Sequence, residues 1–212
     1  MVAQQKVPKP PYITPEAYLE RERKAETKSE YYAGVVVAMA GASPEHAALV
    51  FDLSMLLGMQ LRGGSCQGFN NDLRVRVPAC NAYFYPDVVI VCDEPKYELS
   101  AGLRSLLNPT LIIEALSPST EMVDRQEKFD CYWTLESLKT YVLVSQDRPR
   151  IEIYTRQGSG SWLLEVANGL DAVVRLDAVD CELKLSDVYT RVSFPAGSEE
   201  ADSPSEDGGV EG

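Results

Sequence analysis

The chain has 212 residues, 45% of them hydrophobic, and this length predicts one domain rather than two. The hydrophobic content excludes wholesale disorder, and no apolar run approaches the roughly 20 residues that a membrane-spanning helix needs. The formal net charge is −12, and it is still −6 without the last sixteen residues. This charge argues against a protein that coats nucleic acid nonspecifically through a basic surface.

The two ends of the chain differ in composition from the part between them. Residues 1–11 are polar and rich in proline, and we expect them to form a flexible arm. Residues 197–212 contain six acidic residues and no basic one, which predicts a disordered tail. We therefore predict a single folded domain over residues 12–196.

The first elements predicted in this domain are two helices, with one or two strands between them. Residues 14–16 combine a capping threonine with proline and glutamate, and predict a helix that runs to about residue 25. Residues 31–40 are β-branched and small, and predict one or two strands. A second helix starts at residues 43–45, carries leucines along one face and ends at the glycines of residues 63–64.

Strands dominate the rest of the domain. Alternation over residues 72–77 predicts a half-buried strand, and the apolar residues 86–92 and 110–116 predict strands buried on both faces. A third helix is predicted over residues 121–136. Further strands are predicted over residues 140–145, 151–155 and 161–166, the last at a sheet edge. Together these elements predict an α/β fold with a mixed β-sheet flanked by helices.

Two acidic residues interrupt strands that are otherwise apolar. Asp87 precedes Val-Val-Ile-Val, and Glu114 lies within Leu-Ile-Ile-Glu-Ala-Leu. A buried acid is costly unless a cation or hydrogen bonds compensate it. If the two strands are neighbours, the carboxylates can face each other and bind a hard divalent cation such as Mg2+. A water activated at such a cation can attack a phosphodiester.

Three other residues near these acids each have two interpretations. Lys128 lies four residues after Asp124, which is typical of a surface ion pair, but its ammonium can also turn towards the carboxylates and stabilise phosphate charge. Glu30, directly before the first predicted strand, can be a further acid of the site, but taken alone it is interpreted as a solvated charge. His46 is the only histidine; we favour a capping or packing role, and the alternative is a general base.

Polar and aromatic residues between the second helix and Asp87 favour structural roles. Asp72 is typical of a turn. Arg74 and Arg76 alternate out of a strand, which favours a solvated sheet face over phosphate contacts. The aromatic residues 83–85 are expected to pack in the core rather than to stack on bases.

The five cysteines predict neither a zinc site nor a disulfide framework. Their number is odd, no pair has C-x-x-C spacing, and one histidine cannot complete a zinc-finger set. Cys92 follows an apolar run and is expected to be a buried thiol. With no visible secretory signal, this favours a reducing, cytoplasmic location.

Three motifs form a larger pattern. They are the pair Pro86-Asp87, the string EALSPST over residues 114–120, and the pattern Asp124-Arg125-x-x-Lys128-Phe129-x-x-Tyr132. With residues 12–16, residues 30–34 and His46, they resemble the Uma-two family of restriction-endonuclease-like proteins over residues 12–192. The string EALSPST is fairly specific, whereas a proline–aspartate pair alone is weak.

The resemblance implies a nuclease-like core of the PD-(D/E)XK superfamily, with Mg2+ as cofactor and Mn2+ as a substitute. It implies that Asp87 and Glu114 bind the metal, that DNA is the substrate, and that the chain forms a homodimer. The superfamily places a lysine two residues after the glutamate, where this chain has Leu116. Lys128 is the expected substitute, and Glu30 is the expected further acid.

The sequence is compatible with two functions. The first is a Mg2+-dependent endonuclease that hydrolyses DNA phosphodiester bonds with Asp87, Glu114, Lys128 and Glu30. The alternative is a catalytically inactive protein of nuclease fold that acts as an interaction or structural module, which the acidic balance and the leucine at position 116 favour. The sequence contains no serine-hydrolase elbow, phosphate-binding P-loop or zinc-protease motif that would indicate another enzyme class.

Overall fold

A computed structural model describes residues 11–117 and 121–194. The predicted tail, all of the predicted arm except Pro11, and residues 118–120 of the EALSPST string lie outside the described residues. Of the helices in the described parts, none combines the length and the hydrophobicity that a membrane span requires.

The first half of the chain is rich in short strands. Its elements are α1 (Pro15–Glu22), β1 (Ser29–Tyr32), β2 (Val35–Ala38), α2 (Pro44–Gln60), β3 (Gln67–Asn70), β4 (Val75–Val77), β5 (Ala82–Phe84), β6 (Val88–Val91), β7 (Tyr97–Ser100) and β8 (Leu103–Leu106). The second half begins with the buried strand β9. Its elements are β9 (Leu111–Leu116), α3 (Glu121–Val123), a π-helical turn (Asp124–Lys128), α4 (Phe129–Trp133), β10 (Thr140–Ser145), β11 (Arg150–Arg156), β12 (Trp162–Asn168), β13 (Val173–Leu176), a 3₁₀ turn (Asp177–Val179), β14 (Cys181–Lys184) and α5 (Leu185–Val188).

The strands form two six-stranded mixed sheets and one small hairpin. Sheet 1 has the order β2-β1-β5-β4-β8-β7, and sheet 2 has the order β12-β11-β10-β9-β6-β3. The pairs β4–β8 and β9–β10 are parallel, and the other pairs are antiparallel. The predicted α/β class with mixed strand directions is confirmed, and β12 lies at a sheet edge as expected. The expectation of one sheet is wrong, because each strand of sheet 1 has only three or four residues, which is too short for the sequence pattern to show which strands pair with which.

Sheet 2 lies at the centre of the molecule and is covered on both faces. One face packs against the leucines of α2 and against β13, β14 and α5. The other face packs against sheet 1 and α4, which together form the second hydrophobic cluster. Helix α1 covers the outer face of sheet 1 through a cluster of tyrosines. The division of the chain into one domain over residues 12–196 stays a prediction.

Local signals fix the two elements that bring Glu30 and His46 into position. Helix α2 starts where the Ser43 hydroxyl accepts the backbone N–H of His46 at 3.1 Å, as predicted from the Ser-Pro-Glu start. Strands β1 and β2 form a hairpin whose two turn residues, Ala33 and Gly34, both have positive φ values of 47° and 100°. Such turns match the twist of paired strands and favour glycine.

The strand arginines are not solvated, contrary to the sequence-based interpretation. Arg74 is buried and donates hydrogen bonds to Ser105 Oγ at 3.3 Å and to the Tyr85 hydroxyl at 3.0 Å. Arg76 forms an ion pair with Glu98 at 3.5 Å, and its side chain is largely buried. The interpretation is wrong because tyrosines and neighbouring strands cover this face. The aromatic residues 83–85 are buried as expected, and Asp72 lies in a turn.

Two disulfides contradict the prediction that the cysteines are not bridged. Cys66 pairs with Cys92 and Cys80 pairs with Cys131, while Cys181 is buried and free. The prediction for Cys92 is wrong because β3 and β6 are antiparallel neighbours, and their register brings Cys66 opposite Cys92. Spacing along the sequence does not reveal this pairing. The argument for a reducing compartment, which relied on unpaired thiols, therefore loses its support.

Candidate active site

The acids of the predicted site meet between the two large sheets. Glu30 lies on β1 of sheet 1, whereas Glu114 lies on β9 of sheet 2 and Asp87 directly precedes β6 of the same sheet. Strands β6 and β9 are antiparallel neighbours, as the sequence analysis required, and Val88 pairs with Ile113. The next position in this register places Asp87 beside Glu114, the spacing at which side chains of paired strands interact.

These acids are withdrawn from solvent. Glu114 is 3% exposed and Asp87 is 8% exposed, and the side chain of Glu30 is mostly covered. The interpretation of Glu30 as a solvated charge is therefore wrong. Each carboxylate must be compensated by hydrogen bonds or by a cation, because burying an unpaired charge is costly.

Lys128 is the cation at the centre of this cluster. Its Nζ lies 3.2 Å from Glu30 Oε1, 3.3 Å from Glu114 Oε1 and 3.0 Å from Asp124 Oδ1. The residue is 6% exposed, so the interpretation of Asp124 and Lys128 as a surface ion pair is wrong. The pair lies on the buried side of its helix because the residues around it pack against sheet 2.

The helix that carries Lys128 has an irregular first half. Residues 124–128 form a π-helical turn, which is followed directly by α4. π-turns are rare and often occur at functional sites. The turn is held in place by Arg125, whose guanidinium contacts both carboxylate oxygens of Glu152 on β11, and by the Tyr141 hydroxyl, which donates to the Asp124 carbonyl at 2.9 Å.

Hydrogen bonds from neighbouring groups orient the acids. The buried Tyr132 hydroxyl donates to Glu114 Oε1 at 3.2 Å. The backbone N–H of Tyr85 donates to Glu30 Oε1 at 2.9 Å. The backbone N–H of Ala115 donates to Asp87 Oδ2 at 2.8 Å. Every one of these three carboxylates therefore accepts at least one hydrogen bond from a well-packed donor.

His46 contacts the remaining oxygen of Asp87. Its Nε2 atom lies 3.2 Å from Asp87 Oδ1, and an ionised carboxylate can only accept, so the imidazole donates. The hydrogen bond with Asp87 raises the pKa of the His46 imidazole above its ordinary value, against the opposite effect of partial burial. The favoured interpretation of His46 as only a capping or packing residue is incomplete, because the side chain reaches the site.

The electrostatics of the site are dominated by burial and by excess negative charge. Burial raises the pKa of the Glu114 carboxyl well above its ordinary value; Lys128 opposes this, and the neighbouring acids add to it. Burial alone would lower the pKa of the Lys128 ammonium, but Glu114, Glu30 and Asp124 outweigh it and raise that pKa well above its ordinary value. The lysine therefore stays charged at any pH near neutrality.

The donor set is suited to a hard divalent cation. Three carboxylates contact one ammonium, and a fourth carboxylate, that of Asp87, lies beside Glu114. Acidic groups therefore outnumber the single ammonium, and a further cation would find oxygen ligands here. Within the described ranges, no group of three or more His, Cys, Asp or Glu side chains is arranged to hold a metal ion. Mg2+, however, is usually bound through one or two carboxylates and several waters. Asp87, directly before β6, and Glu114, on the neighbouring strand β9, fit that smaller requirement.

Sequence reasoning missed several members of the cluster. Asp124 and Tyr132 entered the sequence-based prediction as motif residues with no role in the site, and a capping or packing role was favoured for His46. One signal was available: Asp124, Lys128 and Tyr132 follow each other at intervals of four residues, which places them on one side of a helix. No comparable signal exists for His46, since its contact joins residues 41 positions apart.

A scan against protein-family models matches residues 15–187 to Uma2, described as "Putative restriction endonuclease". Two curated relatives come from Synechocystis sp. One, "Uncharacterized protein sll1609", is 36% identical over 162 residues, which cover 76% of this chain and 91% of the relative. The other, "Uncharacterized protein slr1290", is 33% identical over 184 residues, which cover 87% of this chain and 95% of the relative.

A solved structure has the same fold. It is described as a "putative nuclease belonging to DUF820" from Anabaena variabilis, and it superposes with a TM-score of 0.65. The sequence identity is 18%, and the match covers 82% of this chain and 97% of the other. This likeness establishes the nuclease-like fold, and the family model supplies the match at the level of sequence.

Proposed function

Because the chain belongs to the Uma2 (Uma-two) family, we propose that it is a Mg2+-dependent endonuclease of the PD-(D/E)XK type that hydrolyses phosphodiester bonds in DNA. One observation carries the proposal: the buried ammonium of Lys128 lies among carboxylates from both sheets. Such an arrangement concentrates charge where a phosphate would react, and it is difficult to explain as a device for stability alone.

Asp87 and Glu114 would hold the metal. Both are hard oxygen donors that the β6–β9 register places together. A divalent cation bound there would lower the pKa of a coordinated water and withdraw charge from the phosphate oxygens. Mn2+, which accepts the same ligands, would substitute for Mg2+.

Lys128 would stabilise the negative charge that develops on the phosphate. In the superfamily the lysine stands two residues after the glutamate, but here that position is Leu116, which is buried in the core. Lys128 instead approaches from the helix that follows β9, and its ammonium reaches Glu114 Oε1. A preorganised charge in a site that excludes water is worth far more than one in solution.

Glu30, Asp124 and Tyr132 would keep these groups oriented. Glu30 and Asp124 contact the Lys128 ammonium, and the Tyr132 hydroxyl contacts Glu114. Glu30 would in addition accept a hydrogen bond from a water close to the metal. Because the three residues come from different elements, the ammonium is fixed in direction before substrate arrives.

The alternative is a catalytically inactive member of the nuclease fold that acts as an interaction or structural module. The specific observation in its favour is that the Lys128 ammonium is already paired with three carboxylates. An ammonium that stays in these ion pairs would not be available to a phosphate. Binding of the metal to Asp87 and Glu114 is what would distinguish an active site from this closed arrangement.

The test is nicking of supercoiled plasmid DNA by the native chain with Mg2+, with Mn2+ and with a chelator. We expect cleavage with either metal and a loss of at least about 100-fold in Asp87→Asn and in Glu114→Gln. Asp130 and Glu127 are exposed acids on the helical segment that carries Lys128. The substitutions Asp130→Asn and Glu127→Gln are therefore controls that make the same chemical change outside the cluster. Cleavage that is absent in the native chain, or equal in Asp87→Asn, would support the inactive module instead.

The same family membership leads us to propose DNA as partner and a homodimer as the functional unit, since endonucleases of this type pair to cut two strands. Sedimentation of the native chain with and without duplex DNA measures both. A single species of monomer mass at micromolar concentration would exclude the dimer.

A further inference from the structure

We propose that His46 is a positioning residue, which holds the carboxylate of Asp87 in the orientation that binds the metal. The inference rests on the proposed function, because it assigns His46 a task only if Asp87 binds a cation. It goes beyond the four residues expected from the sequence and gives the single histidine of the chain a role in metal affinity.

The geometry at Asp87 is the first support. The carboxylate accepts the N–H of Ala115 at Oδ2, at 2.8 Å, and contacts His46 Nε2 at Oδ1, at 3.2 Å. With one donor on each oxygen, the carboxylate cannot rotate about its terminal torsion without losing a hydrogen bond. An ionised carboxylate has about four acceptor sites, so roughly two stay available for a cation.

The rigidity of the imidazole is the second support. His46 lies in the first turn of the 17-residue helix α2, whose buried leucines anchor it to sheet 2. The turn is fixed at its start, because the Ser43 hydroxyl accepts both the His46 backbone N–H and the side chain amide of Gln146, each at 3.1 Å. The donor that orients Asp87 therefore belongs to a different, independently anchored layer of the fold.

The position of His46 favours orientation over direct metal binding. The imidazole ring contacts Asp87, whereas the acids that contact the Lys128 ammonium are Glu30, Glu114 and Asp124. Partners that orient a metal ligand typically change metal affinity by about 10–100-fold when removed. The expected effect of losing His46 lies in this range.

The test is calorimetric titration of Mn2+ into the native chain and into His46 variants, without DNA and at constant pH. Gln carries its amide nitrogen at about the reach of Nε2, whereas the shorter Asn does not reach Asp87. We expect His46→Asn and His46→Ala to weaken Mn2+ binding by about 10–100-fold, and His46→Gln to recover most of the affinity. Glu45→Gln, an exposed neighbour in the same helical turn, is the matched control.

The outcomes separate the inference from the proposed function. If the native chain binds Mn2+, and His46→Asn and His46→Gln bind it with equal affinity, the positioning role is overturned. The proposed metal site is then left intact. Absence of Mn2+ binding by the native chain overturns both. Thermal unfolding of each variant shows whether it is folded; a purely structural role would lower stability in Asn and Gln variants alike without separating their affinities.

Discussion

Lys128 Nζ lies 3.2 Å from Glu30 Oε1, so one ion pair joins the helix after β9 to the first strand of the other sheet. The same Glu30 oxygen also accepts the backbone N–H of Tyr85, which ties it to the segment leading to Asp87. The lysine is thus held by groups that are distant along the chain. The surroundings of the lysine therefore depend on the packing of both sheets.

Removing the ammonium of Lys128 should destabilise the protein in a pH-dependent way. Lys128→Met leaves buried carboxylates without their cation, and breaking a buried pair typically costs about 3–5 kcal/mol. The loss should be largest at neutral pH and should shrink as pH falls, because burial raises the pKa of the Glu114 carboxyl and its protonated form no longer needs a cation. Urea unfolding of native and variant chains between pH 4 and 8 measures it. Lys139→Met, at an exposed position, should show no such dependence.

Glu152 should contribute stability that disappears in acid. Burial alone would raise the pKa of its carboxyl, but hydrogen bonds from Arg125 and Arg150 outweigh burial and lower that pKa. A carboxyl with a depressed pKa stabilises the fold above its unfolded-state pKa, and this contribution is lost as pH falls through the folded value. Glu152→Gln should therefore cost about 2 kcal/mol at pH 7 and progressively less below pH 4.5. If the native chain and Glu152→Gln differed in unfolding free energy by the same amount at every pH, the lowered pKa of the Glu152 carboxyl would be contradicted.

Loss of the Tyr132 hydroxyl should affect the site more than the fold. Tyr132→Phe removes one hydrogen bond to Glu114 and keeps the ring, so we expect the unfolding free energy to fall by about 1–2 kcal/mol. Cleavage should fall by roughly tenfold or more, because Glu114 loses an orienting donor. The comparison is Tyr83→Phe, whose hydroxyl donates to Glu98 away from the site. It should cost similar stability and leave cleavage unchanged.

The Cys80–Cys131 disulfide should be measurable both chemically and thermodynamically. With two bridges, thiol titration of the denatured chain should find one free thiol, that of Cys181. The double variant Cys80→Ser/Cys131→Ser opens a loop of 51 residues and should lower the unfolding free energy by about 2–4 kcal/mol. Five free thiols in the unreduced native chain would show that neither bridge forms.

The sequence predicted those parts of the fold that long, regular patterns encode. The leucine stripe predicted α2, and the apolar runs predicted β6 and β9, because burial of a whole element leaves a readable pattern. The short strands β3, β5, β7 and β8 were missed, since three or four residues in a strand depend on tertiary pairing more than on their own composition.

From its residues alone, the candidate site was predictable only where an acid broke such a pattern; Lys128 and Glu30 were expected from the family resemblance. Asp87 and Glu114 are conspicuous because their neighbours are apolar. Lys128 is not conspicuous in the sequence, because a charged pair four residues apart has the same spacing on a solvated helix as on a buried one. His46 and the bridged cysteines depend on contacts between distant segments, for which a single sequence carries no signal.

The division of the acids between two layers has a consequence for how the protein would lose its chemistry. If the interface between sheet 1 and sheet 2 opened, Glu30 would leave with one layer while Asp87 and Glu114 stayed with the other. Neither half, taken separately, contains a complete set of groups. The integrity of the cluster is thus a direct readout of whether the two layers are docked.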